Sequence, residues 1–175
     1  MIDNTQIITK WNNLFNWRKA DTSLSNITLS KNPCLYIFSA QTHGFKGYIP
    51  RAKHLYISIY DGKKFKTIEV TDIESVKKLE GNILSADYED ITISQVLISD
   101  RDPRLKWFGN KPKIEFVGKY IHIESINYPF NKDINLRSNN CNRFVSYLCF
   151  LYDIDYDCDY IGLKTKTYWK KTLGF

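Results

Sequence analysis

Histidine and cysteine are both scarce in this chain: three histidines (His43, His54, His122) and four cysteines (Cys34, Cys141, Cys149, Cys158) among 175 residues. No two cysteines stand in a CxxC pair or at a zinc-type spacing, so neither a disulfide scaffold nor a multi-histidine metal site is expected. No metal or organic cofactor is implied. The apolar runs are only a handful of residues long, far short of the ~20 that cross a bilayer. The opening residues lack the basic-then-apolar layout of a secretory signal, so the expected location is the cytosol, or outside the cell by a signal-independent route. Internal repeats, low-complexity tracts and Gly/Pro/Ser-rich linkers are missing too, which points to one domain over residues 1–175.

What is present is core material. Apolar residues make up 43% and aromatics 15% of the chain, enough to exclude disorder as the main state. Lysine and arginine number 25 against 19 acidic residues, a net charge of +6 that favours anionic surfaces. The densest basic cluster is Lys164, Lys166, Lys170 and Lys171 around Tyr168 and Trp169. Such a tail either lies on lipid headgroups or another polyanion, or forms a solvated terminal face with its aromatics docked inward. No specific nucleic-acid motif accompanies the charge, and the oligomeric state is not legible.

The periodicities predict an α+β domain, an antiparallel sheet packed against helices. Ile7, Ile8, Trp11, Leu14 and Phe15 fall near one helical face, predicting an amphipathic helix over about Asn4–Lys19 within an N-terminal segment 1–25. Cys34–Ser39 reads as a buried strand and Gln41–Lys53 as loop. His54–Tyr60 and Lys63–Val70 are rich in β-branched and aromatic residues and flank Asp61-Gly62, the preferred pair for a two-residue hairpin turn. A short helix is expected near Glu74–Leu79, a strand at Lys113–Val117 and a short helix over Lys119–Asn127, while Ile91–Ser99 reads as a strand with helix as the alternative. The last element is a helix from Cys141 to Tyr152, with Ser138, Asn139 and Asn140 as candidate caps.

Cys141 opens that helix. Free backbone N–H groups and the positive end of the helix dipole favour a thiolate there, and the same groups can hold the oxyanion formed when sulfur attacks a carbonyl carbon. The alternative is a small buried apolar residue, which suits Cys34 and Cys149 better. His54 begins a strand and is the natural base. With a two-residue turn it lies directly opposite Glu69, Cβ atoms about 4.5–5.5 Å apart; a four-residue turn slips the register by two and makes the pair diagonal neighbours on the same face. Either way Glu69 can hold one imidazole nitrogen and leave the other for the thiol. A surface His–Glu pair contributing at most ~1 kcal/mol satisfies the same parity. Leu55, Ile57 and Ile59 take the opposite face from His54, Tyr56 and Ser58.

His54 on a strand-turn-strand with Asp61-Gly62, followed far downstream by Asn140-Cys-Asn-Arg-Phe-Val145 at a helix start, resembles the circularly permuted NlpC-type papain-like hydrolases, including the lecithin:retinol acyltransferase group. The resemblance implies Cys141 as nucleophile, His54 as base and Glu69 as its orienting partner, a position commonly held by another histidine in the acyltransferases. A bacterial family of this permuted group is similar over more of the chain, about Cys34–Tyr152. It shares the His-x-x-Ile strand at His54–Ile57, Glu69-Val70, Trp107-Phe-Gly-Asn-Lys-Pro112, Tyr128-Pro129 and the Asn140–Phe144 helix start. That family carries serine at the position of Cys141 and Gly-Pro where this chain has Arg137-Ser138. The implied papain-like core is 34–152, preceded by the segment 1–25 and followed by a basic aromatic extension 153–175.

The expected activity is a thiol-dependent hydrolase, amidase- or peptidase-like, working through a Cys141–His54 pair and an acyl-enzyme. A lipid acyltransferase or phospholipase-like enzyme, and a non-catalytic binding module in the same cleft, are the alternatives. Asn140 or the Cys141 backbone N–H would hold the oxyanion. Tyr56, Trp107 and Asn110 are further candidates for contact with a peptide- or lipid-like substrate. Trp107–Pro112 is read either as a wall of the cleft or as a turn fixed by Gly109 and Pro112 with its aromatics in the core.

Overall fold

Runs of β-branched and aromatic residues with a two-residue alternation make a six-stranded sheet, and a late helix covers one face of it. A computed structural model describes residues 7–9, 24–41, 53–72, 94–106, 110–124, 126, 141–157, 169–170 and 173–174. Its strands are β1 (Ile7–Thr9), β2 (Cys34–Gln41), β3 (Lys53–Tyr60), β4 (Phe65–Asp72), β5 (Ser94–Ser99) and β6 (Lys113–Lys119), and its helix is α1 (Cys141–Leu151). The order across the sheet is β1-β5-β4-β3-β2-β6. The five strands β5 to β6 are antiparallel throughout, and β1 adds a short parallel edge on β5. The expected α+β architecture is thus present.

Alternation sends Leu35 and Ile37, Leu55, Ile57 and Ile59, Ile68 and Val70, and Val96 and Ile98 to one face, where they bury against Phe144, Val145, Leu148 and Cys149 of α1. The second face carries Tyr36, Phe38 and Tyr56. It is covered by the segment around Ile27 and Leu29, which is tied to the loop after β5 by a Leu24–Leu105 bridge and by Ser25 N–H donating to Arg104 O at 3.0 Å. Both faces of β3 are therefore buried, and its polar residues 54, 56 and 58 are interior groups, not a solvated stripe.

Three expectations are corrected. Ile7–Thr9, placed in an N-terminal helix by its apolar spacing, is strand: three β-branched residues pair in parallel with Leu97–Ser99 and cover what would otherwise be an open sheet edge. The remainder of that predicted helix lies outside the described residues, as does the one near Glu74–Leu79. Residues 120–124 are not helical. Ile121 and Ile123 turn inward at a two-residue interval, and Ile123 O accepts a hydrogen bond from Lys66 Nζ at 2.8 Å. The hairpin turn is also longer than Asp61-Gly62. The Asp61 carboxylate accepts from Lys63 N and Lys64 N at 2.8 and 2.7 Å, Asp61 N donates to Lys64 O, and Gly62 takes a φ of 100°. These bonds make a four-residue connection, so that Tyr60 pairs with Phe65.

Trp169 docks inward. It is fully buried, its indole N–H donates to Ser146 Oγ at 2.8 Å, and its ring meets Tyr147 edge-on at 5.1 Å. The chain end is thereby fastened to the helix that Cys141 begins. Among the described residues no helix is long and apolar enough to cross a membrane.

Replacing Trp169 by Ala should cost about 3–5 kcal/mol of stability from the lost aromatic packing. Trp169→Phe should cost less, about 1–3 kcal/mol, because the Ser146 hydroxyl loses its buried donor. Urea titration checks both, and wild-type midpoints for the two variants would contradict the docking.

Candidate active site

Two central strands, β3 and β4, supply the imidazole and the carboxylate. Extended by one position from its last paired residues, Ile57 and Ile68, their register sets Glu69 opposite Tyr56 and makes His54 its diagonal neighbour. The side chains close the diagonal: His54 Nε2 donates to Glu69 Oε2 at 2.7 Å. Both are interior, at 6% and 0% exposure, which excludes the weak surface pair that parity alone would permit.

A second cation meets the same carboxylate. Arg101, just beyond β5, donates from Nε to Glu69 Oε1 at 3.3 Å and from a terminal nitrogen to Oε2 at 3.1 Å. Its guanidinium lies 4.4 Å from the centre of the Tyr56 ring, and that ring stacks on His54 at 5.3 Å. The Tyr56 hydroxyl donates to Pro103 O, and Thr67 Oγ1 donates to Arg101 O, both at 2.7 Å. Arg101 was not legible as a site residue. It lies on the Glu69 side of the sheet two positions past Ser99, which pairs with Thr67, but the β4–β5 register follows a connection too long for turn chemistry to set. The only hint was an arginine directly after an apolar strand.

Cys141 reaches the pair through a gap in the sheet. β3 and β4 pair only from Ile57–Ile68 to Tyr60–Phe65, whereas β4 continues to Asp72 alongside β5. The Asp61–Lys64 bond fixes the alternation, so the odd-numbered residues of β3 direct their backbone groups toward β4. Among the described residues no strand meets them past Ile57. The first turn of α1 fills the opening instead: Leu55 N–H donates to Cys141 Sγ and the thiol faces Lys53 O, each at 3.4 Å. Lys53 O suits the protonated thiol, and Leu55 N–H suits the thiolate.

The sulfur also shares a hydrogen bond with His54, and the electrostatics follow from it. Burial alone would push the Cys141 thiol up, but the bond to His54, the charge of its ring and the N–H groups of Leu55 and Asn142 hold it below the ordinary thiol value. Burial likewise works against a charged imidazole, yet the bonds to Cys141 and Glu69 and the carboxylate charge raise His54 above the ordinary histidine value. With Nε2 committed to Glu69, Nδ1 is the nitrogen left for the thiol proton. Both shifts act in the direction of a thiolate beside an imidazolium.

The remaining predicted site residues divide. Tyr56 is buried beneath the imidazole with its hydroxyl turned to Pro103, so it supports the ring and does not present a group to a ligand. Asn110 Nδ2 donates to Gln41 O at 2.8 Å, at the end of β2 that pairs with Lys53. Asn140 and Trp107 lie outside the described residues. Comparison of the chain with family models, with curated proteins and with solved structures finds no match.

Half-buried Cys141 should be alkylated by iodoacetamide well before the buried Cys34 and Cys149. Because its thiol is lowered, the rate should persist at pH values where an ordinary cysteine has lost its thiolate; because His54 is the main lowering group, His54→Ala should move the rate–pH midpoint upward. Time-resolved peptide mass spectrometry reads both. Labelling of Cys141 no faster than that of Cys34, with a midpoint unmoved by His54→Ala, would contradict the pairing.

Proposed function

We propose that the protein is a thiol-dependent hydrolase of the amidase or peptidase type, working through an acyl-enzyme on Cys141. The observation that carries this reading is the Cys141–His54–Glu69 cluster: the sulfur, at a helix N-terminus, is hydrogen-bonded to the imidazole, and His54 Nε2 donates to a buried carboxylate. In the reaction, His54 Nδ1 takes the thiol proton and the sulfur adds to the carbonyl carbon of an amide or ester. The Cys141 backbone N–H, one of the free donors at the first turn of α1, would donate to the oxyanion. His54 then returns the proton to the leaving amine or alcohol, and water attacks the thioester with the same ring as base.

The chain order supports a permuted papain-like arrangement as the finer description of the fold: base on β3, orienting carboxylate on β4, and nucleophile on a helix after the last strand. That is the order of the circularly permuted NlpC-type hydrolases, the lecithin:retinol acyltransferase group among them, that the sequence resembles. Glu69, in place of the acyltransferases' second histidine, sets a negative charge beside the imidazolium that forms at each step of the reaction.

A panel of aminoacyl nitroanilides and nitrophenyl esters tests the reading. Wild type should release nitrophenolate in a burst and carry an acyl mass on Cys141, Cys141→Ala should show neither, and His54→Ala should slow acylation about 10²–10⁴-fold. Rapid alkylation of Cys141 without an acyl adduct from any member of the panel would overturn catalysis in favour of a binding module.

A further inference from the structure

The Glu69 carboxylate is held by two cations, although orienting one imidazole requires a single acceptor. Four groups with opposing charges meet in the interior here: Cys141 from α1, His54 from β3, Glu69 from β4 and Arg101 beyond β5. Among the described residues, the other titratable groups nearby do not change the count. Tyr56 donates its proton to Pro103 O and ionises only near 12, and Asp102 is paired with Arg104 at 2.8 Å. Lys53 contributes its backbone carbonyl to the sulfur, while its Nζ lies 3.6 Å from Glu115.

We propose that Arg101 is a positioning residue whose charge, acting through Glu69, allows the Cys141 thiolate to exist. A buried cluster favours zero net charge. With Arg101 present, thiolate, imidazolium, carboxylate and guanidinium sum to zero, and so do thiol, neutral imidazole, carboxylate and guanidinium. Passing the proton from Sγ to Nδ1 is therefore neutral overall. Without the guanidinium, the neutral state is a thiol with one extra proton shared by Glu69 and His54. That proton makes either an imidazolium beside a carboxylate, or a carboxylic acid donating to Nε2 of a ring whose hydrogen has moved to Nδ1. In both cases Nδ1 is occupied and cannot accept the thiol proton, and the one neutral state that holds a thiolate requires a carboxylic acid at Glu69 beside the imidazolium, in place of the carboxylate that otherwise holds the ring. This inference rests on the reading of Cys141 as a nucleophile with His54 as its base, but its test does not need a substrate.

The test has two arms. In the first, the pH dependence of Cys141 alkylation is compared in wild type, Arg101→Met, Arg101→Lys and the double variant Arg101→Met/Glu69→Gln. Arg101→Met should move the midpoint upward by about one pH unit or more. Arg101→Lys, which keeps the charge without the two-pronged bond, should recover most of that shift. The double variant should return the midpoint toward wild type, because removing both charges restores a neutral cluster that holds thiolate and imidazolium; a merely structural arginine would be further damaged by the second change. In the second arm, ¹⁵N-edited spectra of His54 in a Cys141→Ala background should show a neutral ring protonated at Nε2 near pH 7.5, and a ring protonated at Nδ1 once Arg101 is Met. An unmoved midpoint in Arg101→Met, or a double variant no better than the single one, overturns the proposal. Should Arg101→Met fail to fold, the Lys and double variants carry the comparison: midpoints of both near wild type support the proposal, and a double variant raised above Lys overturns it. Failure of the hydrolase reading alone would leave these shifts intact while the substrate panel stayed silent.

Discussion

A carboxylate with no exposure to water is the constraint on which this molecule turns. Glu69 sits in the middle of the sheet, where an unpaired charge would be among the most destabilising features a small domain can carry. It is tolerated because His54 and Arg101 both donate to it. Each partner is fixed in turn: the imidazole by the stacked Tyr56 ring, the guanidinium by that same ring's other contact, and the Arg101 carbonyl by Thr67. The second face of the sheet is thus organised around one anion, and the loop after β5 is held where the guanidinium must be.

The sulfur enters this arrangement from the other side. The core packing of α1 on Ile57, Ile68 and their neighbours sets the helix height, and the divergence of β3 from β4 past Ile57 makes room for its first turn. Backbone groups that a longer ladder would have consumed are offered to Cys141. Sheet stability and reactivity are linked here. Continuing the β3–β4 ladder would satisfy Leu55 and Lys53 through the backbone and close the space in which the sulfur meets His54. The burial of Trp169 against Ser146 and Tyr147 adds a far segment of the chain to the support at the middle of the helix.

Much of this was legible in the residues, and the parts that were not share a cause. The helix at Cys141, the β2 strand, the hairpin and the common face of His54 and Glu69 follow from local alternation and helical spacing. These periodicities need only a few neighbouring side chains to be read. The turn length was ambiguous because Asp61-Gly62 suits a tight turn, whereas the Asp61 side chain preferred to cap Lys63 and Lys64; parity preserved the shared face through the slip of two residues. Ile7–Thr9 was misread because an apolar spacing compatible with a helix was overridden by a sheet edge available far along the chain. Arg101 was missed because nothing local ties the end of β5 to Glu69.

By itself the sequence determined which side chains share a strand face and that one cysteine begins a helix, since both are consequences of covalent periodicity. Tertiary structure alone decided that the strand face is interior, that β3 and β4 part where the helix arrives, and that an arginine 32 residues from Glu69 completes its hydrogen bonding. These are contacts between distant segments. They are set by the balance between burying apolar surface on both faces of one sheet and finding partners for the charges buried with it, and no single stretch of chain carries that balance.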